Sequence, residues 1–282
     1  MLRAASSLFR FRVAGMVALS CVFGYLLAAG AAGPDMVTSA AGTFLLTCAC
    51  SVFNQIQEKD LDARMPRTRI RPVASGRLPT AAAWAVGMAA LLPALILLHA
   101  AGGVRLVLLS AAVLALYNGV YTPMKKYTAF SLLAGAVPGA LPPVFGWLAA
   151  GGNLYSPEIA LLFIVYYLWQ VPHFWLRAER DRQSYLAAGL PLPSVELPHR
   201  YHALLRLWYA SYMVALLLLP VSPFIAETAV RIAVCLAGIT GLAASGYLLA
   251  SPVRGFHAVN VSMLFVMLLL VADRLVTSGI IT

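Results

Sequence analysis

Apolar residues fill nine long runs along the chain, at about 13–33, 36–54, 80–101, 104–122, 129–150, 157–176, 202–222, 226–250 and 256–278. Only two long polar segments interrupt them, 55–79 and 177–201. A helix of roughly 20 apolar residues spans the hydrocarbon of a bilayer. Backbone groups in lipid must be satisfied within their own segment, and the alternation of barrel strands is missing, so the runs predict helices. The expected fold is therefore all-α: a polytopic membrane protein with about nine transmembrane helices. Each long polar segment follows the second helix of a four-helix set. The chain thus reads as two parallel four-helix halves plus a ninth helix, alike in hydropathy and charge placement rather than in identity. Arg3, Arg10 and Arg12 before the first run mimic a signal peptide, but the run passes twenty residues without a clean cleavage pattern. It reads as a retained first helix.

Composition sharpens this picture. Of 282 residues, 61% are apolar and 11% charged, whereas soluble domains have about 45–50% and 25%. A soluble enzyme, a disordered chain and a fibre are excluded, and little is left for an extramembranous domain. Residues 1–282 are expected to form a single integral membrane domain. The net charge of +10 would suit nucleic acid, but its placement follows topology instead. Seventeen of the 20 Lys and Arg fall on one side, against Arg105, Arg231 and Arg274 on the other. That bias puts the N-terminus and both long loops in the cytoplasm and, with nine spans, the C-terminus opposite. Cys21, Cys48, Cys50 and Cys235 all lie in apolar runs and read as small buried residues.

The segment Asn54-Gln-Ile-Gln-Glu58-Lys-Asp60-Leu-Asp62-Ala-Arg64 carries the strongest chemical signal. Asn54, Glu58 and Asp62 stand at i, i+4 and i+8, one face of a continuing helix, with Asp60 pointing roughly the other way. Stacked carboxylates repel unless a cation lies between them. Hard oxygen ligands favour Mg²⁺, which completes its shell from water and substrate phosphates. Arg67, Arg69, Arg71 and Arg77 follow, and guanidinium forks match phosphate oxygens. The same residues also read as a solvated positive-inside loop whose acids balance its arginines.

In the second loop His173, Arg177 and Asp181 repeat the i, i+4, i+8 spacing, with Ser184 and Tyr185 on the next turn. Another acid could complete a metal site facing the first, or Trp169, Phe174 and Trp175 could simply form an interfacial belt with snorkelling charges. A third segment, Tyr117 to Thr128, holds Tyr121, Lys125 and Lys126 at a helix boundary, where the lysines grip phosphate or anchor the helix end. Gly135, Gly139, Pro142, Pro143 and Gly146 predict a kinked helix with close neighbours.

These segments together resemble the UbiA superfamily of intramembrane prenyltransferases, and within it the haem O synthases (protohaem IX farnesyltransferases). The first family motif falls on Asn54, Glu58 and Asp62, with Asp60 matching an additional acid. Arg67-Thr68-x2-Arg71-Pro72 and Gly76-Arg77 match as well. Tyr121-Thr122, the Gly-Ala-Leu-Pro-Pro run at 139–143, Gly146-Trp147, Trp169-Gln170-x-Pro172-His173 and Tyr185-x-Ala187-Ala188-Gly189-x-Pro191 look like the haem-specific branch. The similarity runs from about 12 to 195. Two positions depart from the pattern. Ser184 stands where an acid usually precedes the tyrosine, with Asp181 one turn earlier where a base is expected, and Glu58 is one methylene longer than the usual Asp.

The resemblance implies Mg²⁺ (or Mn²⁺) held by Glu58, Asp62 and Asp181, with Asn54 beside them in the catalytic set. It implies substrate contacts from Asp60, Arg67, Arg71, Arg77, Tyr121, Lys125, His173 and Tyr185. The implied reaction transfers farnesyl from farnesyl diphosphate to a vinyl group of haem b, in the inner membrane of a prokaryotic-type cell, with the active-site mouth cytoplasmic. The implied surroundings are the lipid bilayer, without nucleic acid, and a haem-handling protein or haem A synthase stands as a candidate partner. A UbiA-type enzyme acting on an aromatic quinone precursor or another tetrapyrrole is the alternative. A transporter fits less well, since the ionisable residues gather at the cytoplasmic ends rather than the midplane.

Overall fold

The computed structural model describes residues 2–278. The Arg3 side chain and the C-terminus, both used in the topology reading, lie outside what is described. Among the described residues every regular element is helical: α1 (Leu2–Phe9), α2 (Phe11–Ala29), α3 (Pro34–Gln57), α4 (Lys59–Arg64), α5 (Thr80–Gly102) and α6 (Val104–Leu114) come first. A π-helical stretch, Ala115–Tyr121, joins α6 to α7 (Thr122–Met124). Then follow α8 (Ser131–Ala140), α9 (Pro142–Ala149), α10 (Pro157–Arg180), α11 (Arg182–Ala187), α12 (Pro193–Glu196), α13 (Tyr201–Leu218), α14 (Thr228–Ala243), α15 (Ser245–Leu248) and α16 (Pro252–Thr277).

Eight of the nine expected spans are long and apolar enough to cross a membrane. The remaining one differs. The run at 226–250 splits at Ala244 into α14, of 16 residues, and the four-residue α15. At 1.5 Å per residue α14 alone covers roughly 24 Å, short of the ~30 Å core. The kink expected around 139–143 is present: α8 stops at Ala140 and α9 restarts at Pro142, whose ring fits a first helical turn and cannot continue the preceding one.

Close helix crossings depend on absent side chains. A methyl on Gly24 would overlap the Pro143 backbone, and one on Gly146 the Cys21 carbonyl, so α2 and α9 touch backbone to backbone. Lipid supplies no hydrophobic drive between helices, and such small-residue contacts let dispersion hold them together. Behind this crossing the core gathers Phe23, Phe145, Tyr166, Trp175, Tyr209 and Tyr212. Leu19, Val37, Ile96, Leu108 and Leu268 point outward and are exposed, as the lipid-facing side of a bundle requires. Cys21, Cys48 and Cys50 are buried as expected, and Cys235 is partly so.

The two long loops are built alike. α3 and α10 each run 24 residues from a proline in the first turn. Each breaks at a single acid, Glu58 (φ −104°, ψ 14°) and Asp181 (φ −95°, ψ 19°), and resumes as a six-residue helix. The repeat that hydropathy suggested thus extends to backbone geometry.

Candidate active site

The break at Glu58 does not scatter the acid ladder. The Glu58 amide still donates to the Asn54 carbonyl (2.9 Å) and the Asp62 amide to the Glu58 carbonyl (2.7 Å), which keeps the three side chains on one face. Glu58 and Asp62 are each only 2% exposed and Asn54 3%. Buried carboxylates demand compensation, and each has its own cation. Lys125 Nζ lies 2.7 Å from Glu58 Oε1, and Arg71 Nη1 sits 2.7 and 2.9 Å from the two Asp62 oxygens. Asn54 donates its amide to Thr122 Oγ1 (3.1 Å), and Thr122 donates to the Tyr117 carbonyl (2.8 Å). The start of α7 is thereby locked onto the end of α3, which sets Lys125 above Glu58.

The site's other wall comes from the second loop. Asp181 faces Arg67 (3.6 Å) and Arg177 (3.4 Å). Beneath this link Met65, Ala188 and Leu190 form an apolar stitch against Leu61 and Tyr185, joining the two loops. Tyr121 is half-buried with its ring against the bare face of Gly135, and 5.5 Å from the Tyr117 ring.

Other expected residues stand apart. Asp60 is exposed on the far side of α4. The arginines do not form one cluster: Arg71 and Arg67 serve different acids, Arg69 is exposed, and Arg77 braces its own loop through Ser75 Oγ and the Ile70 carbonyl. His173 lies in an aromatic nest of Trp169, Phe174 and Phe256 and bonds Asn260 at 2.8 Å. Lys126 reaches the Gln57 carbonyl at 3.5 Å, an anchoring role.

A magnesium ion fits the first wall. Two hard carboxylates stand one turn apart, and among the described residues the only partner of buried Glu58 Oε1 is the Lys125 ammonium, whose aligned hydrogen bond goes to Oε2 (3.0 Å). Among the described residues no three acids, histidines or cysteines close around one point. Such a pair suits an ion that takes the rest of its shell from water and phosphate. Asp181 belongs to the opposite wall rather than to this pair.

Two contributors escaped sequence reasoning, Arg10 and Gln55. Gln55 Nε2 donates to the Ser7 and Leu8 carbonyls (2.9 and 2.8 Å), and Arg10 Nη1 approaches the Tyr117 hydroxyl at 3.5 Å. Their partners are 47 to 107 residues away in the chain, beyond any local periodicity.

The pattern of the UbiA prenyltransferase family matches residues 17–272. A protoheme IX farnesyltransferase of Oleidesulfovibrio alaskensis is 98% identical over the full length of both chains. One from Nitratidesulfovibrio vulgaris is 42% identical, covering 95% of this chain and 94% of that one. Among solved structures, a digeranylgeranylglyceryl phosphate synthase superposes with a TM-score of 0.79 at 16% identity, covering 97% of this chain and 98% of that one. A UbiA homologue from Archaeoglobus fulgidus bound to GPP and Mg²⁺ gives 0.69 at 15% identity, over 96% and 98%. At such identity these two speak for the fold.

Proposed function

We propose, given that the chain belongs to the UbiA prenyltransferase family, that this integral membrane prenyltransferase is a single domain that farnesylates a vinyl group of protohaem IX. The observation carrying the site chemistry is the buried Glu58–Asp62 pair with one cation on each acid. The acceptor and the farnesyl length are supported by full-length identity to a protein of that activity. The fold by itself does not choose, because a glyceryl phosphate synthase shares it.

Glu58 and Asp62, and in this reading Asp181, would hold magnesium, or manganese in its place, which would supply charge neutralisation for the leaving diphosphate. Arg71, Lys125 and Arg67 move from their acids onto diphosphate oxygens, pre-aimed donors in a partly dry site. The allylic C1–O bond breaks and its electron pair leaves with diphosphate. The haem vinyl π pair forms the new bond to C1. Water adds to the resulting cation and loses a proton, leaving a hydroxyethylfarnesyl group. The apolar interior keeps water from the allylic cation until the carbon–carbon bond is made. Tyr121, Tyr185, Asp60, Arg77 and His173 are proposed to line the substrates' path, with the mouth and N-terminus cytoplasmic, in an inner membrane.

Purified protein in nanodiscs, given farnesyl diphosphate and Mg²⁺, should release diphosphate with haem b. It should not do so with an aromatic quinone-precursor acid. Release with the aromatic acid alone would replace the acceptor, and full release in excess EDTA would remove the metal from the account.

A further inference from the structure

Arg10 is the one non-glycine residue with positive φ among those described (φ 54°, ψ 48°). Left-handed backbone costs a side-chain-bearing residue about 1–2 kcal/mol, and such outliers persist only where their surroundings hold them. The surroundings here are explicit. Gln55 caps the last turn of α1 by bonding the Ser7 and Leu8 carbonyls, which the helix itself cannot satisfy. On either side of Arg10, Phe9 stacks on Phe11 and Phe11 on Phe44 of α3. The Arg10 carbonyl receives the Val13 and Ala14 amides of the first turn of α2.

This joint aims a guanidinium inward. Its directed contact is the long one to the Tyr117 hydroxyl (3.5 Å), on the π-helical stretch that also carries Tyr121. π-Helical turns inside α-helices occur often at functional sites. Among the described residues no carboxylate lies within ion-pairing distance of Arg10. A partly buried cation without an anion is costly, and here it adds to backbone strain at the same residue. The neighbouring Tyr117 holds the Arg10 pKa above its ordinary value against the lowering effect of burial, with Tyr121 and Glu58 acting in the same sense. The charge is permanent.

We infer that Arg10 is a substrate-binding residue whose guanidinium closes on the diphosphate of the prenyl donor from the membrane side of Glu58, and that Gln55 is the positioning residue that aims it. The inference rests on the diphosphate site proposed above. Lys125 and Arg71 are tied to their acids on the loop side. Arg10 brings up to five donors with no acid of its own to release, so it can engage the anion as it arrives.

The test is calorimetric titration of purified full-length protein with inorganic diphosphate and Mg²⁺, beside thermal melting and a Soret titration with haem b. In Arg10→Gly the strained backbone is relieved, since glycine adopts positive φ freely. Its melting temperature should therefore match or exceed the wild type while diphosphate affinity falls about tenfold or more, the worth of one charge-assisted hydrogen bond. Gln55→Leu should weaken diphosphate binding in the same direction, and haem b affinity should hold in both variants. Wild-type diphosphate affinity in a folded Arg10→Gly would overturn the inference. So would a loss confined to haem b, which would place the guanidinium on the acceptor's carboxylates. If the wild type itself ignored Mg²⁺–diphosphate, the proposed function would fail first, a separate outcome. Should Arg10→Gly melt early, Arg10→Gln serves the same comparison with the backbone strain retained.

Discussion

Lys125 Nζ lies 2.7 Å from Glu58 Oε1, so a residue of the segment Tyr117–Thr128 neutralises an acid of the first long polar loop. The lysine and a metal ion compete for the same carboxylate. Lys125→Met should therefore raise Mg²⁺ affinity severalfold when titrated without diphosphate, and lower affinity for farnesyl diphosphate. It should also destabilise the metal-free protein by about 3–5 kcal/mol, the usual cost of stripping one partner from a buried pair, with recovery on adding Mg²⁺. Unchanged metal affinity would mean that Lys125 and the metal do not share Glu58.

Arg71 meets both Asp62 oxygens through a single nitrogen, Nη1. A lysine ammonium could make that contact too, whereas a fork on diphosphate it could not. Arg71→Lys should thus melt near the wild-type temperature while binding the donor more weakly. Asp62→Asn should cost ~10²-fold or more in turnover, on the scale of one charge-stabilising contact. Equal donor affinity in Arg71→Lys would leave the arginine a purely structural partner of Asp62.

Asp181 occupies the same joint of its loop that Glu58 occupies in the first. If it supplies the acid that Ser184 does not, Asp181→Asn should impair Mg²⁺-dependent turnover strongly, and Ser184→Ala should be nearly neutral. The double change Asp181→Asn, Ser184→Asp should restore part of the rate. Its contacts with Arg67 and Arg177 are half-exposed on the arginine side, and such pairs are worth under about 1 kcal/mol. An Asp181→Asn variant with unaltered Mg²⁺ dependence would confine this residue to those pairs.

Gly24 and Gly146 allow α2 and α9 to meet at backbone distance. Either Gly→Ala change must push the helices apart, at about 1–3 kcal/mol for overpacking. Detergent-solubilised variants should melt several degrees lower, with the double variant worse than either single one. Wild-type melting in both would show that the crossing tolerates a methyl group.

Much of this was legible because membrane chemistry writes strong local signals. Twenty-residue apolar runs located eight spans, and the i, i+4, i+8 spacing placed Asn54, Glu58 and Asp62 on one face even though the helix breaks between them. Hydropathy could not see that 226–250 divides at Ala244, since no charged residue marks the break. Nor does composition distinguish Arg71, which holds an acid, from Arg77, which braces its own turn, because the difference lies in where a loop folds back. Arg10 looked like one more topology charge. Its role depends on Tyr117, brought to it by tertiary packing alone.

The most direct measurement of the central claim is the mass of haem extracted from membranes in which the protein is expressed beside an Asp62→Asn control. Haem b carrying one farnesyl group plus one water should be abundant with the wild-type chain and strongly reduced with the variant. Haem b alone in both membranes, with the protein folded and donor supplied, would contradict it.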